Sequence, residues 1–376
     1  MTSRDDMSGH SQTSATQNKR VVVAMSGGVD SATAAVVLLD RGYQVIGMMM
    51  RLWAEEDAAG EGGSANRCCS PEAVDDARQV CQLLGIPFYL VNYEREFKRH
   101  VVDTFVAEYC RGRTPNPCLA CNRRIKFDLL LRHALALDAQ YLATGHYARI
   151  REVDGTYQLC KGVDLAKDQS YVLYMLGQAE LRHLLFPIGD YTKSQVRAIA
   201  RQRALPVAGR EESQDLCFVR DNDYRRFLSE YAPDAIRPGP IFDSTGRLLG
   251  EHKGLPFYTI GQRSGLGISA PEALYVLEID LSRNALIVGP ASELGRSELI
   301  AEEVSYVSGH APPAPIQVTA KIRRQARLAR ATLIPLDGNR AQLIFTRPLR
   351  DITPGQGVVF YQGDVVLGGG IIASVH

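Results

Sequence analysis

Cys118 and Cys121 form a C-x-x-C pair in RTPNPCLACNRR (113–124), between a Pro-Asn-Pro turn and two arginines. That spacing suits half of a zinc site, a redox dithiol, an iron–sulfur corner or a catalytic thiol. A structural zinc needs four ligands, commonly as a second close pair, and the nearest doublet, Cys68-Cys69, is adjacent rather than spaced. A thioredoxin-like dithiol would open a helix after a strand, and this pair does not. The chain holds eight cysteines, at 68, 69, 81, 110, 118, 121, 160 and 217. Cytosolic thiols are kept reduced, so most of these are expected to be small buried apolar residues. A pair in a polar, basic loop is a different case, and the rest of the chain has to choose among its readings.

A second stretch with chemistry in it is SGGVDS (26–31), between the apolar run VVVAM and the helix-like ATAAVVLLDRG. Where a strand meets a helix, unpaired N–H groups and the helix dipole converge on one spot. Gly27 and Gly28 let an anion approach the backbone, Ser26 and Ser31 offer hydroxyls, and Asp30 can hold a cation that shields phosphates. A Walker loop would carry Lys before its last Ser, but Val29-Asp30 precede Ser31. The loop therefore suits cradling a pyrophosphate released when ATP is cut between its α and β phosphates. The G-x-G-x-x-G spacing of dinucleotide binding is absent.

The elements that must position these residues follow from apolar periodicity. VVVAM, YQVIGMMM (43–50), PFYLVNY (87–93) and QYLATGHYA (140–148) read as strands. Helical segments alternate with them: one after SGGVDS closed by Gly42, SPEAVDDARQVCQLLGI with Ser70 as cap and Pro71 following, REFKRHVVDTFVAEYCRG, and FDLLLRHALALDA (127–139). That alternation is α/β and predicts a doubly wound parallel sheet. Beyond about residue 220, short runs separated by Gly-rich turns predict β-rich modules divided near 293–299. The expected division is a disordered leader at 1–19, a nucleotide domain at 20–220, a small central domain at 221–292 and a β-barrel at 293–376. With 376 residues, 45% hydrophobic and 23% charged, the chain has material for several cores. A net charge of +1 excludes wholesale coating of nucleic acid, though 111–126 and 321–330 are locally basic. No signal peptide or membrane span is apparent, so a cytoplasmic protein is expected.

Longer stretches carry a resemblance. AMSGGVDS (24–31), GRTPNPCLACNRRIKF (112–127), ATGHYAR (143–149), KDQSYVLYML (167–176), ESQDLCF (212–218), TIGQRSGLGI (259–268), TPGQGVVFY (353–361) and LGGGII (367–372) occur in this order. From about residue 19 to the end the chain resembles the tRNA-specific 2-thiouridylases of the ATP-pyrophosphatase superfamily. The resemblance implies an adenine nucleotide alpha hydrolase-like domain, a small central domain and a C-terminal barrel that grips tRNA. It implies ATP-dependent sulfurtransferase activity on the wobble uridine, by adenylation of its 2-oxygen and then sulfur transfer from a cysteine persulfide. It also implies that Ala24, Met25, Ser26, Gly27, Gly28, Val29, Asp30, Ser31, Met50 and Gly145 line the ATP site, with Mg²⁺ accompanying ATP. By the same resemblance Cys121 is the nucleophile, and Cys217 carries the persulfide and can form a transient disulfide with Cys121. Asn116, Pro117 and Cys118 border the flipped-out base, while His146, Lys167, Asp168, Gln169, Arg323, Arg324 and Gln356 match tRNA-contacting positions. Arg123, Arg124 and Lys126 could anchor phosphates of the anticodon loop. His146 has a second reading, as a histidine simply packed at a strand end. The implied partners are tRNA and an upstream sulfur carrier or cysteine desulfurase-linked relay, with the enzyme working as a monomer.

Two departures matter. Cys118 stands where some members have an aspartate able to act as general acid or base. With Cys118 present, a [4Fe–4S] cluster on Cys118, Cys121 and Cys217 with one iron position open is a second possible mechanism, as in related sulfur transferases. Arg324 stands where members often have an aromatic tRNA contact. Two different functions compete with thiolation. An amide-forming ATP-pyrophosphatase ligase would not need Cys121 and Cys217. Against a non-catalytic RNA-binding protein stand the intact loop and the cysteines.

Overall fold

The computed structural model describes residues 19–55, 70–210 and 216–375. The leader up to residue 18, Cys68, Cys69 and the ESQD part of ESQDLCF lie outside the described residues. Strand β1 (Arg20–Met25) leads through the Ser26–Gly28 loop into helix α1 (Val29–Asp40), and β2 (Gln44–Arg51) returns parallel to β1. Gly42, at φ +83°, ends α1 with its amide donating to the Leu39 carbonyl. Helix α2 (Pro71–Leu83) is capped as its sequence predicts: Ser70 Oγ accepts from the Ala73 amide at 3.2 Å. Strand β3 (Phe88–Asn92) follows, then α3 (Glu94–Phe97), wide turns over Lys98–Val102, and α4 (Asp103–Cys110).

Helix α5 (Pro117–Ala120) runs through another wide-turned stretch, Cys121–Leu130, into α6 (Leu131–Ala136). The helix expected at 127–139 thus begins ten residues earlier and contains both cysteines of the C-x-x-C pair. The strand expected at 140–148 is shorter. Only β4 (Tyr141–Ala143) joins the sheet, and TGHY (144–147) continues as a loop into the hairpin β5 (Ala148–Val153) and β6 (Thr156–Lys161). Short helix α7 (Gln178–Leu181) and edge strand β7 (Leu184–Leu185) precede α8 (Lys193–Gln202), which Thr192 and Gln195 start with a capping box.

The five-stranded sheet is parallel, in order β3-β2-β1-β4-β7. Alternate residues along β1 enter opposite cores. Val21 and Val23 pack with α1, α2 and α8, while Val22 packs with the helices between Glu94 and Ala136. The sheet is therefore doubly wound: β2 and β3 lie on one side of β1, and the chain then crosses back to place β4 and β7 on the other. The crevice at the ends of β1 and β4 is the topological switch point, where α/β sheets hold ligands.

The β-rich remainder opens with a helix that the sequence pattern does not announce, α9 (Tyr224–Tyr231), capped by Asp223. A four-stranded sheet follows, built from β8 (Gly239–Asp243), β9 (Leu248–His252), β10 (Leu274–Asp280) and β11 (Ala285–Pro290) around Ile241, Tyr258, Val276 and Val288. The last unit contains β12 (Arg296–Tyr306), β13 (Ile316–Lys321), β14 (Ala329–Leu336), β15 (Arg340–Leu349), β16 (Gly357–Gln362) and β17 (Val365–Val375). Pairing of β12 with β17 closes these six strands into a barrel. The β5–β6 hairpin extends the barrel sheet, because Cys160 pairs with Val365 on β17. Among the described residues no helix is long and apolar enough to cross a membrane.

Candidate active site

The Ser26–Ser31 loop is organised by its own residues. Gly27 adopts φ +68°, and a Cβ there would lie 2.5 Å from the Ala73 carbonyl oxygen, so the N-terminal turn of α2 packs directly on the loop. Ser31 Oγ donates to the Gly28 carbonyl at 3.1 Å and accepts from the Ser26 amide at 3.2 Å. Met25 and Val29 are buried in the sheet core, so their side chains hold the loop in place. Met50 is also buried, on the face of β2 opposite Met49. Gly145, on the loop after β4, lies against the first turn of α1. A Cβ there would come within 2.8 Å of Asp30 C and the Ser31 amide nitrogen. The two loops flanking the switch point therefore touch, backbone against backbone.

Asp30 already holds a cation in this structure, the side chain of Lys193. Its Nζ lies 2.8 and 2.9 Å from the two carboxylate oxygens, and Tyr147 donates its hydroxyl to Oδ1 at 2.8 Å. Sequence reasoning misses both partners. Tyr147 sits in a motif that assigns it no role, and Lys193 is the first residue of α8, far away in the chain. Only the TKSQ capping box points there, and it signals a helix start, not a function. Arg210 also reaches the loop, donating to the Gly27 carbonyl at 3.0 Å while pairing with Asp76. A lysine and an arginine beside glycine amides suit a triphosphate. With Asp30 engaged, the residues here do not form a cage for a bare Mg²⁺; they fit the ion as part of a phosphate complex.

The cysteine loop is assembled from distant parts of the chain. Asn116 Oδ1 accepts from the Cys118 amide at 3.1 Å and Pro117 fills the first helical position, so Asn-Pro-Cys is a helix start. Cys118 is exposed and Cys121 is buried. Asn122, beside Cys121, donates to the Val172 carbonyl at 2.8 Å. The Thr114 amide donates to the Pro354 carbonyl at 2.9 Å, and its carbonyl accepts from Gln356 Nε2 at 2.8 Å. Its hydroxyl donates to Thr259 at 3.1 Å. Two consecutive acids on β12 grip both arms of the loop: Glu302 pairs with Arg113 at 3.1 Å and Glu303 with Arg123 at 2.7 Å. Glu303 adopts φ +50°, where the pairing of β12 with β17 shifts register. The loop is thus tied to the central sheet and to the barrel at once.

His146 connects the two regions, from the interior. Its ring lies 5.8 Å from Phe127, on the Cys121 helix, and 6.0 Å from Phe186; Nδ1 is 2.7 Å from Thr144 Oγ1. Burial, followed by the charge of Lys126, pushes its pKa well below 6.5, so it is neutral. Of the two sequence readings, this geometry is that of a packed histidine.

The other residues expected to meet tRNA are distributed unevenly. Asp168 accepts from the Gly162 and Ser170 amides and from Ser170 Oγ, and Gln169 Oε1 accepts from the Tyr147 amide at 2.9 Å. Both shape a turn that Ser170 links to Tyr361 of the barrel. Arg323 pairs with Asp351 at 3.1 Å on the turn after β13, Arg324 is exposed there, and Lys167 is half-buried. Gln356 is at the cysteine loop, not with the arginines. Cys217 is exposed at the corner of a turn closed by the Val219 amide on the Leu216 carbonyl. Among the described residues no three of His, Cys, Asp and Glu are grouped to hold a metal ion. Cys118, Cys121 and Cys217 are therefore not arranged as a ligand set, and the [4Fe–4S] mechanism is not favoured.

A parallel sheet with an SGGVDS loop at its switch point and thiols on an adjoining helix defines an adenine nucleotide alpha hydrolase-like enzyme. The chain matches a tRNA methyl transferase HUP domain over residues 19–221, a tRNA methyl transferase PRC-barrel domain over 225–290 and an aminomethyltransferase beta-barrel domain over 296–372. It is 52% identical over 371 residues to the tRNA-specific 2-thiouridylase MnmA of Roseiflexus castenholzii, covering 94% of this chain and 99% of that protein. To the protein of the same name from Moorella thermoacetica it is 52% identical over 356 residues, covering 94% and 99%. For that of Clostridium perfringens the identity is 47% over 359 residues, covering 95% and 99%. The chain belongs to the tRNA-specific 2-thiouridylase family.

Proposed function

We propose that this enzyme is an ATP-dependent tRNA sulfurtransferase that converts the wobble uridine of anticodons to 2-thiouridine. The observation carrying this reading is the contact of Gly145 with the phosphate-type loop, together with the packing of His146 on the Cys121 helix. These contacts support a reading in which an adenylating site adjoins the helix that carries Cys121. The matched domain descriptions speak of methyl transfer, but C-x-x-C beside an ATP loop suits thiolation, as in the relatives' names.

ATP binds with its phosphates at Gly27, Gly28 and the α1 N-terminus, Mg²⁺ travelling on the nucleotide, and Lys193 exchanges part of its contact with Asp30 for phosphate. The uridine, flipped out of its stack, lies beside Asn116, Pro117 and Cys118. Its 2-oxygen attacks the α-phosphorus and pyrophosphate leaves. The terminal sulfur of a Cys217 persulfide then attacks C2, and AMP departs carrying the former 2-oxygen. The Cys121 thiolate attacks the Cys217 sulfur, releasing 2-thiouridine and leaving a Cys121–Cys217 disulfide that a cellular dithiol reduces. The persulfide sulfur comes from an upstream carrier or cysteine desulfurase-linked relay. Arg323, Arg324 and Lys167 hold the tRNA backbone, and the enzyme works as a monomer in the cytoplasm.

The test is nucleoside mass spectrometry of a tRNA transcript incubated with enzyme, ATP, Mg²⁺ and a persulfide donor (cysteine with a cysteine desulfurase), alongside nucleotide analysis. One AMP and one pyrophosphate per 2-thiouridine is expected. Formation of ADP without AMP would overturn the reading.

A further inference from the structure

Arg226, on α9, has a bonding pattern that neither ATP binding nor tRNA binding uses. Its guanidinium presents five N–H donors, and all three of its nitrogens are engaged by three carboxylates. Nε and Nη2 reach Asp221 at 2.7 and 3.0 Å. Nη1 and Nη2 reach Glu55 at 3.0 and 2.7 Å, and Nη1 also meets Glu230 at 2.8 Å. Glu55 is 5% exposed and spends a further bond on the Arg220 amide, at 3.0 Å. A buried carboxylate is stable only when paired and hydrogen-bonded, so this arrangement is rigid. It joins the end of the second-strand segment, the turn at 216–221 and α9.

Cys217 sits on that turn. Phe218, its neighbour, is fully buried among Phe97, Phe105 and Phe227, with ring centroids 5.2 to 6.0 Å away. Helix α5, which precedes Cys121, packs on the wide turns at Lys98–Val102, directly after Phe97. The turn carrying Cys217 and the helix carrying Cys121 therefore share one wall. Cys217 is exposed between an aromatic plug and an ionic tether.

We propose that Glu55 and Arg226 are positioning residues for Cys217, fixing the turn on which its sulfur is presented to the Cys121 helix. The proposal rests on the reading of Cys217 as the sulfur carrier. Sulfur transfer needs that sulfur within a narrow range of the activated carbon, whereas adenylation happens before Cys217 takes part. Loosening the tether should separate the two steps.

The experiment compares Arg226→Met, Arg226→Lys, Glu55→Gln and, as a control, Glu230→Gln, which removes an exposed carboxylate within α9 and leaves those of Glu55 and Asp221 in place. Three quantities are read: tRNA-dependent pyrophosphate release, single-turnover 2-thiouridine formation, and the rate of iodoacetamide alkylation at Cys217 by peptide mass spectrometry. Arg226→Met and Glu55→Gln should slow single-turnover thiolation about tenfold to a hundredfold. Pyrophosphate release should stay within about twofold and Cys217 alkylation should change. Arg226→Lys, which keeps the charge but not the fork, should fall between, and Glu230→Gln should match the parent. If Arg226→Met does not fold, Glu55→Gln preserves shape and carries the test. Loss of thiolation in proportion to pyrophosphate release, or wild-type alkylation of Cys217 in both variants, would overturn the positioning role. Pyrophosphate release by wild-type enzyme with no thiouridine formed would instead sink the functional reading, and the alkylation arm would still decide the tether.

Discussion

Residues 26–31 and residues 113–123 are both stretches where a loop leads into a helix, yet they are positioned by different means. The backbone of the first is shaped mainly by its own hydroxyls and glycines, Ser31 bonding Gly28 and Ser26 within the hexapeptide, with Arg210, Lys193 and Tyr147 added from a distance. The second is held from outside: Gln356 grips Thr114 across 242 positions of chain, and Glu303 grips Arg123 across 180. Phosphate recognition needs only a local backbone shape, which a short sequence can encode. Thiol chemistry on a nucleotide inside a folded RNA needs the thiol registered to the surface that holds the RNA. The cysteine loop is accordingly bolted to the central sheet and barrel.

Substitutions can break this contrast. The largest effect is expected from Cys121→Ser and Cys217→Ser, each abolishing 2-thiouridine formation while tRNA affinity by filter binding stays close to wild type; normal turnover by either would remove its assigned role. Gly145→Ala comes next, because its methyl would meet α1 backbone atoms at 2.8 Å. It should lower pyrophosphate release by about a hundredfold, since small displacements of reacting groups cost that much, and leave tRNA binding unchanged. Gln356→Ala should do the reverse at the other loop. Thiolation should fall about tenfold as the loop loses its clamp, while ATP still raises the melting temperature as in the parent. Loss of that ATP effect would mean that the two regions are not separable.

The phosphate loop, α1, the Ser70 cap and the parallel character of the sheet were legible in the sequence because each rests on local signals: apolar runs, a cap, paired glycines. The barrel was legible as β texture only. Its closure through β12 and β17, and its capture of the β5–β6 hairpin, depend on pairings between residues far apart. The wide-turned helix bearing Cys121 reads as loop in the sequence because Pro115 and Pro117 look like a break, although Pro117 in fact starts the helix. Lys193, Thr114, Glu302 and Glu303 carry no local mark, since their partners are set by tertiary structure. His146 is marked by its motif, but its burial among Phe127 and Phe186 is set by tertiary packing that the motif does not announce.

Two smaller effects sharpen the picture. Replacing the exposed Arg124 by Gln should weaken tRNA binding and lower its dependence on salt by about one counterion; an unchanged slope would place the phosphate contacts elsewhere. His146 gives a pH signature of stability. Its folded pKa lies well below the ordinary 6.5, so between those values the unfolded chain binds a proton that the folded chain does not. Its contribution is complete above about pH 6.5 and is lost on acidification by up to about 1.4 kcal/mol per pH unit. Urea midpoints between pH 5 and 7.5 should show this slope in wild type and a shallower one in His146→Gln. Equal slopes would mean that the imidazole is not held neutral.

The central claim is that the uracil 2-oxygen leaves on AMP. A tRNA carrying ¹⁸O at the 2-position of its wobble uridine, incubated with enzyme, ATP and a sulfur source, tests it directly by mass spectrometry of the nucleotide products. One ¹⁸O in the phosphate of AMP for each 2-thiouridine formed is the result expected. Unlabelled AMP with the label released to water, while thiouridine accumulates, would contradict it.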